Sequence, residues 1–314
     1  MAVDVKRFSE ELVYRSRSSC AQLLADLRFL RDFDVDKEKR QGRAFSMGCG
    51  ALLFAGVILC FVGSLVTNVF AIPVFLGGCA VLLLGTGIYS FVRHSRYKRL
   101  NLENRRYELV TRMLELLRAD ISPTEPVGLQ MDLRPETDAG KLRGESRTRS
   151  GWSVKHYVDP WLSLEGRLLD GTHFNLKMIE RIDMRSRSKR NARGKTKTKT
   201  RRESDALLRV RLRVKPSRYQ HLQRLGPRAK GAVQLPPGAR LKSLHVGKER
   251  IDLTVVLEAP WAPRETPPPK DSFPMNAPPP VNGARVVAMS LLSLYQLLNL
   301  SRALDKKAVH PPVG

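Results

Sequence analysis

Cysteine is scarce in this sequence, and its four cysteines all lie in the first 79 residues. Cys49, Cys60 and Cys79 fall within an apolar stretch, while Cys20 stands in a charged segment. The chain after Cys79 therefore contains neither a disulfide framework nor a Cys-x-x-Cys metal site. This usage is typical of a protein whose folded part faces a reducing compartment.

Signatures of catalysis are also absent. The sequence has no His-x-x-x-His pair, no Gly-x-Ser-x-Gly elbow and no complete phosphate-binding loop. Gly194-Lys195-Thr196 resembles the end of such a loop, but Lys189 occupies the place of its first glycine. We therefore expect no enzyme activity, no cofactor and no metal. The histidines are scattered, at His94, His156, His173, His221, His245 and His310.

Two histidines stand close in sequence to an aspartate, His156 to Asp159 and His173 to Asp170. Each pair has the residue types of an acid–base couple. Isolated pairs of this kind are usually structural or exposed to solvent, because catalysis needs several converging groups. We expect neither pair to be catalytic.

Acidic residues are few, with 30 Asp and Glu against 55 Lys and Arg, so the formal net charge is +25. An excess of this size predicts an anionic neighbour but says nothing about the fold. Nucleic acid, anionic lipid and an acidic protein all meet that description.

Charged residues are missing altogether from Ala44 to Val92. About 20 apolar residues cross a bilayer core, so a run of this length predicts a transmembrane hairpin at 44–92, with spans at about 45–66 and 71–92. Cations flank both sides of the run, at Lys37, Lys39, Arg40, Arg43, Arg93, Arg96, Lys98 and Arg99. The positive-inside rule then places both termini in the cytoplasm, and we expect a bacterial inner membrane.

The hairpin contains no ionisable acid or base, so it is expected to be an anchor and not an ion path. Small residues recur every seven positions and would allow close helix packing, either within the hairpin or between copies in a homo-oligomer. They are Cys49, Gly56 and Gly63 in the first span, and Ala71, Gly78 and Gly85 in the second.

Apolar residues at helical spacing surround the hairpin and predict amphipathic cytoplasmic helices at 1–43 and 93–121. We expect these helices to continue the two spans and to pack their apolar stripes against each other. The second helix should end at Ser122-Pro123, because proline disfavours helix at the residue before it.

The apolar period changes from 3.6 to 2 in residues 122–259, which predicts a mostly antiparallel sheet. Strands are expected at 162–168, 174–184, 208–214 and 127–133, with a second hairpin at 241–246 and 251–258. A short helix is expected at 217–225. Pairing Leu168 with Thr172 around a three-residue turn, with Gly171 in the left-handed conformation, keeps the apolar residues on one face.

A basic arm at 185–202 contains no acidic and no aromatic residue. Three interpretations stay open: a disordered or mobile solvated tip, a surface that contacts anionic headgroups, or a nucleic-acid-binding segment that lacks stacking residues. The next strand adds cations at alternate positions, on the face opposite the core. The predicted anion-binding residues are Arg185, Arg187, Lys189, Arg190, Arg193, Lys195, Lys197, Lys199, Arg201, Arg202, Arg209, Arg211, Arg213 and Lys215.

Prolines crowd residues 260–282 and predict an extended spacer in the polyproline II conformation. An apolar helix is expected at 283–304, which could dock on the cytoplasmic helices, self-associate or lie in the headgroup plane. A short tail, 305–314, follows. The sequence thus predicts an α+β membrane protein that acts as a non-enzymatic scaffold or interaction protein, with a membrane-tethered nucleic-acid binder and an enzyme of unrecognised type as alternatives.

Overall fold

A computed structural model of the chain describes residues 4–64, 71–100, 102–190, 194–265 and 279–309. It divides into two compact units. The first, here called the sheet unit, comprises Met1–Leu27 and Glu103–Gly314, and the second, the helix-pair unit, comprises Arg28–Leu102.

The sheet unit is an α+β fold with a mostly antiparallel sheet, as the sequence predicts. Eight strands belong to the main sheet, which has the order β1-β2-β4-β5-β6-β8-β7, while β3 pairs with the first half of β4. All of these neighbours are antiparallel. The strands are β1 Val13–Ser18, β2 Val127–Asp132, β3 Leu142–Arg147, β4 Ser153–Arg167, β5 His173–Arg190, β6 Thr196–Arg213, β7 Ala239–Val246 and β8 Arg250–Glu258.

The core lies between one face of this sheet and two helices. Strand residues at alternate positions are buried because successive side chains of a strand point to opposite faces. Helix α4, Asn104–Leu117, buries Leu109 and Met113, and helix α6, Gly283–Val309, buries Val286 and Leu294. Helix α6 contacts α4, β6 and β8. The C-terminal helix is therefore a docked core element of the sheet unit, and the opposite sheet face stays open.

The predicted turn between β4 and β5 is confirmed. The Leu168 N–H donates to the Thr172 carbonyl oxygen at 2.9 Å, and Gly171 has a φ of +84°. The pairing of Leu164 with Leu176 keeps both side chains on the core face. The second predicted hairpin is also present, as β7 and β8.

The N-terminal region differs from the single helix predicted for 1–43. Helix α1, Val5–Glu11, ends at Leu12 in the left-handed conformation, and β1 then pairs with β2 before helix α2, Cys20–Ser64, begins. The buried Tyr14 of β1 donates its hydroxyl to Asp26 at 2.7 Å. This tertiary pairing outweighs the helical spacing of the leucines.

Two other helix predictions are corrected. The helix predicted for 93–121 is divided, because helix α3, Ala71–Leu100, ends before α4 begins at Asn104. The last helical turn does end just before Ser122-Pro123, at Asp120. The helix predicted for 217–225 is replaced by short 3-10 turns, followed by helix α5, Gly226–Ala232.

The proline-rich segment does not separate α6 from the sheet. Strands β9, Trp261–Ala262, and β10, Val281–Asn282, pair in parallel, and the Val281 N–H donates to the Pro260 carbonyl oxygen at 2.9 Å. The two ends of the segment therefore meet, which corrects the predicted spacer at 260–282. The polyproline conformation predicted between these ends falls largely on residues 266–278, which lie outside the described residues.

In the helix-pair unit, α2 and α3 approach closely at two glycines. A Cβ atom on Gly48 would lie 3.1 Å from the Phe91 ring, and one on Gly87 would lie 2.9 Å from Leu52. By contrast, a Cβ atom on Gly56 or Gly85 would meet nothing within 4 Å. Of the predicted seven-residue series, Gly56 and Gly85 therefore lie on open faces of their helices, and the close approach described here is at Gly48 and Gly87.

Two helices in the described part of the chain are long and apolar enough to cross a membrane. One lies within α2, at Cys20–Cys60, and the other within α6, at Gly283–Leu304. They differ in burial, because 17% of the most apolar window is buried in the first and 50% in the second. Length and composition alone do not separate a membrane span from a core helix.

The left-handed turn at Gly171 leads to a stability prediction. Replacing Gly171 with Ala should lower the free energy of unfolding by about 1 kcal/mol, because a side chain disfavours positive φ. Urea unfolding of the full chain in detergent micelles, followed by tryptophan fluorescence, would measure this. Gly144→Ala is the control, since a Cβ atom there meets nothing within 4 Å. Equal losses in both variants would contradict the assignment.

Candidate anion-binding face

The basic arm is a two-stranded ribbon made by the ends of β5 and β6. These ends pair in register from Met184 with Arg202 to Arg190 with Thr196. The ribbon extends past β8, whose pairing with β6 begins at Asp205. Regular strands thus replace the irregular arm expected at 185–202, and Arg193 lies outside the described residues.

Like charges stand directly opposite each other along this ribbon. Arg185 faces Arg201, Arg187 faces Lys199, and Lys189 faces Lys197. Cross-strand pairs of like charge destabilise a sheet unless something compensates them. The arrangement therefore concentrates positive charge on one face of the ribbon at a cost in stability.

The protein's own acids compensate only the base of the ribbon. Arg185 forms an ion pair with Glu203 at 2.8 Å, and Arg202 forms one with Glu136 at 2.6 Å. The Arg201 guanidinium stacks over Trp152, 5.4 Å from the ring centre. Toward the tip, Arg187, Lys189, Lys197 and Lys199 have no ion-pair partner in the described part of the chain.

The predicted row of cations is present on the open face of the sheet, with Arg209, Arg211 and Arg213 on β6 and Lys215 just after its end. Arg209, Arg211, Arg213 and Lys215 are exposed, and the residues between them are buried. In the neighbouring strand, Lys177 faces Arg209 and His173 faces Arg213. Arg211 forms an ion pair with Asp252, so this row is also partly neutralised.

A cleft of about 410 Å³ opens on the same face, beside the turn between β4 and β5. We call it the Gly128 cleft, because this glycine lies at its centre. Its charged lining is Arg17, Glu125, Glu165, Arg167, His173, Arg211 and Arg213. A second cavity of about 480 Å³ adjoins it and shares Arg17, Gly128 and Glu165 with it.

Sequence reasoning missed several cations of this face, among them Arg15, Arg17 and Arg167. Arg15 and Arg17 lie on β1, within the region predicted as helix, and Arg167 lies near the end of β4. A signal was present in the alternation Tyr14-Arg15-Ser16-Arg17, which has the period of a strand. It covers too few residues to outweigh the helical spacing that surrounds it.

A buried ion network lies on the core side of the sheet, centred on the fully buried side chain of Arg106. Its guanidinium lies 2.7 Å from an Asp159 oxygen and 2.8 Å from a Glu180 oxygen, and it donates to the Asp132 carbonyl oxygen at 2.9 Å. Lys141 Nζ lies 2.9 Å from the other Asp159 oxygen. These contacts connect α4 to three strands.

Two tryptophans cover the network. Trp161 and Trp261 stack in parallel with ring centres 6.1 Å apart, and Trp261 Nε1 donates to Glu180 at 2.9 Å. The Arg106 guanidinium lies 5.3 Å from the centre of the Trp161 ring. These rings keep water away from the ion pairs, which strengthens the electrostatic interactions there.

Three carboxylates next to this network are close enough together to hold a metal ion: Glu103, Glu136 and Glu180. The guanidinium of Arg105 already lies among them, 2.9 Å from Glu180 and 3.7 Å from Glu136, and it also bonds to Glu103. An arginine thus supplies the positive charge that a cation would bring. We assign the cluster a structural role.

Burial and charge have opposite effects on the pKa values here. Burial raises the pKa of Asp159, although Arg106 and Lys141 oppose this. Burial also raises the pKa of Glu136, against the effect of Arg202. For Arg106, burial lowers the pKa, but the negative charges of Glu103, Asp159 and Glu180 raise it by more than burial lowers it. The pKa therefore lies above its usual value, and the guanidinium stays charged.

His156 contacts a different aspartate from the one close to it in sequence. His156 Nδ1 lies 2.7 Å from Asp183, not Asp159, and its Nε2 lies 2.8 Å from Ser146 Oγ. This order of contacts is that of a Ser-His-Asp triad, but the His156 and Asp183 side chains are 41% and 38% exposed on an open surface. We therefore assign it no catalytic role.

Asp170, the aspartate close to His173 in sequence, stabilises the turn between β4 and β5. It accepts from the Thr172 N–H at 2.8 Å and from the Tyr219 hydroxyl at 2.9 Å. These bonds lower its pKa in spite of partial burial, which acts in the opposite direction. His173 instead lines the Gly128 cleft.

Comparisons with protein-family models, with curated proteins and with solved structures gave no significant match to this chain. The function must therefore be inferred from the arrangement of its own residues.

The network makes a specific stability prediction. Arg106→Met should lower the free energy of unfolding by about 3–5 kcal/mol, because it leaves buried carboxylates without their cation. Arg134→Met is the control, because the ion pair of Arg134 with Asp132 involves a side chain that is 41% exposed. It should cost about 1 kcal/mol or less. Urea unfolding would measure both, and similar losses would contradict the central role of Arg106.

The cost of Arg106→Met should also depend on pH. Without the guanidinium, the pKa of the buried Asp159 carboxyl should rise further, so the folded variant takes up a proton more readily than its unfolded state. The difference in unfolding free energy between wild type and variant should therefore shrink between about pH 7 and about pH 5. Urea unfolding at several pH values tests this, and a difference that is constant or grows would be inconsistent with buried carboxylates.

Proposed function

We propose that this chain is a membrane-anchored, non-enzymatic scaffold or interaction protein whose basic ribbon and open sheet face contact an anionic surface. The membrane would be a bacterial inner membrane, with both termini in the cytoplasm. The ribbon carries the proposal, because it places like charges opposite each other without enough acids to neutralise them. Repulsion between these cations destabilises the ribbon, and a bound external anion would reduce that repulsion.

The anchor in this proposal is the hairpin at 44–92, made by α2 and α3. Large apolar side chains point away from the helix pair, including Leu53 at 71% exposed and Leu82 at 73%. In water such a surface would favour aggregation, whereas lipid tails solvate it. Helix α6 is left out of the anchor, because it uses its apolar residues in the core of the sheet unit.

Anionic lipid headgroups are the partner that we favour. The anchor keeps the basic unit tethered to a bilayer at all times, and each cation near an anionic surface contributes on the order of 1 kcal/mol. The unpaired residues at the ribbon tip are long, flexible and exposed, which suits a fluid surface better than a single fixed ligand.

Nucleic acid and an acidic protein are the alternative partners. Nonspecific binding of nucleic acid needs only phosphate neutralisation, which the ribbon could supply. Single-strand binding also uses aromatic side chains that stack on bases. Trp152, the aromatic ring next to the ribbon, is already covered by Arg201.

A dye on the ribbon would test the proposal in the full chain. Thr198→Cys, with the four native cysteines replaced, would carry a polarity-sensitive dye in nanodiscs of phosphatidylcholine alone or mixed with phosphatidylglycerol. We expect a blue shift of the dye emission only with the anionic lipid. The shift should be lost between about 0.1 M and about 1 M salt, because screening shortens the range of the attraction.

Charge-matched variants complete this test. Replacing Arg187, Lys189, Lys197 and Lys199 with Gln should abolish the shift. Replacing the exposed residues Arg224, Arg228, Lys230 and Lys242 with Gln removes the same charge elsewhere and should preserve it. Equal loss in both variants would refute a specific role of the ribbon. A shift in neutral nanodiscs after adding duplex or single-stranded nucleic acid would favour that partner instead.

A further inference from the structure

The Gly128 cleft is lined by charges of both signs that do not pair with each other. In the described part of the chain, no ion pair is formed by Arg17, Arg167 or Arg213, nor by Glu125 or Glu165. The Glu165 carboxylate only accepts a long hydrogen bond of 3.3 Å from Asn175. Exposed ion pairs contribute little to stability, so these charges can stay unpaired and remain available to a ligand.

The register of the sheet explains this separation. Arg17, Gly128 and Glu165 stand side by side on three neighbouring strands, so the glycine leaves a gap between the two charges. The arginine and the glutamate are two strand spacings apart, about 10 Å at the backbone. A Cβ atom on Gly128 would already lie 3.1 Å from Glu165 Cγ, so a larger residue would fill this gap.

A second row sets the cationic end of the cleft. Arg167 faces His173, and His173 faces Arg213, which places two guanidinium groups on either side of an imidazole. This row lies one residue pair, about 7 Å, from the row of Glu165. The row of Arg167 and Arg213 thus contains two guanidinium groups and no carboxylate. The neighbouring row contains the Glu165 carboxylate, with Arg17 beyond the gap at Gly128 and Arg211 beyond Asn175.

From this arrangement we infer that the Gly128 cleft binds a small zwitterion with a phosphate at one end and a primary ammonium at the other, as in a phosphoethanolamine group. A ligand with phosphate alone would leave Glu125 and Glu165 next to its negative charge. An ammonium compound without phosphate would leave the guanidinium groups unpaired. Only a ligand with both charges satisfies both ends.

The charge balance agrees with such a ligand. In the described part of the chain, the lining charges without an ion-pair partner are three guanidinium groups and two carboxylates, a net charge of about +1, because the fourth arginine, Arg211, already pairs with Asp252. A phosphomonoester carries about −1.5 to −2 near neutral pH, and an ammonium group reduces this to about −0.5 to −1. Bidentate contacts of arginine with phosphate, and ammonium N–H bonds to a carboxylate, are the strong charge-assisted kind.

Three soluble ligands would test the inference on the full chain in detergent micelles. Calorimetric titration should show O-phosphoethanolamine binding about tenfold more tightly than O-phosphocholine, whose quaternary ammonium has no N–H to donate, and than glycerol 3-phosphate, which has no ammonium. Equal binding of the three ligands, or no binding of the first, would overturn the inference.

Two variants test which residues bind the ammonium group and which bind the phosphate. Glu165→Gln should remove the preference for O-phosphoethanolamine over O-phosphocholine, whereas Arg213→Gln should weaken the binding of all three ligands about tenfold. Arg224→Gln, which is exposed and outside both the cleft lining and the cation rows, is the control and should leave the binding of all three ligands unchanged. If Glu165→Gln leaves the preference for O-phosphoethanolamine over O-phosphocholine intact, the carboxylate does not bind the ammonium group, and the proposed role of Glu165 is wrong.

The same chemistry occurs in a free metabolite and in an ethanolamine lipid headgroup, and nanodiscs separate the two sources. If the headgroup occupies the cleft, O-phosphoethanolamine should bind more weakly in nanodiscs containing phosphatidylethanolamine than in phosphatidylcholine alone. Equal binding in both supports the free ligand. The inference does not depend on the ribbon, because the variant with four Gln residues in the ribbon should bind O-phosphoethanolamine like the wild type.

Discussion

The buried guanidinium of Arg106 is the interaction on which the rest of the sheet unit depends. A charge inside a protein needs partners on every side, and here they come from β2, β4 and β5. Through Glu180 the network also reaches Trp261 at the start of the proline-rich segment. Helix α4 can therefore dock in only one place without leaving a carboxylate unpaired, and this fixes the strands whose other faces form the cleft and the cation rows.

The two faces of the sheet differ in how their charged side chains are compensated. On the core side, five carboxylates (Glu103, Asp132, Asp159, Glu136 and Glu180) meet five cations (Arg105, Arg106, Arg134, Lys141 and Arg202) in ion pairs. On the open side, cations lie at the ribbon tip and from Arg209 onward, while the acids Asp183, Glu203 and Asp205 lie between these two groups. The cations that lack an acidic partner in the described part of the chain therefore include those of the ribbon tip, Arg209 and Arg213.

Features that depend on neighbouring residues could be predicted from the sequence, whereas contacts between residues far apart in the sequence could not. The alternation in β5 and β6 and the turn at Gly171 depend on neighbouring residues, and the structure has them as expected. The network joins Arg106 to Asp159 and Glu180, which are far apart in sequence and stand in no recognisable motif. Strand β1 was missed because its alternating pattern covers only a few residues and its partner β2 is far away in sequence. The Gly128 cleft depends on β1 and on this long-range pairing, so its lining could not be predicted.

The parallel pairing of β9 with β10 closes the proline-rich segment into a loop whose two ends are fixed to the same unit. The entropic cost of closing a flexible loop grows only with the logarithm of its length. Residues can therefore be gained or lost between Ala262 and Val281 with little effect on the docking of α6. This makes the segment the natural place for related chains to differ in length, and the place where an inserted tag or domain would disturb the fold least.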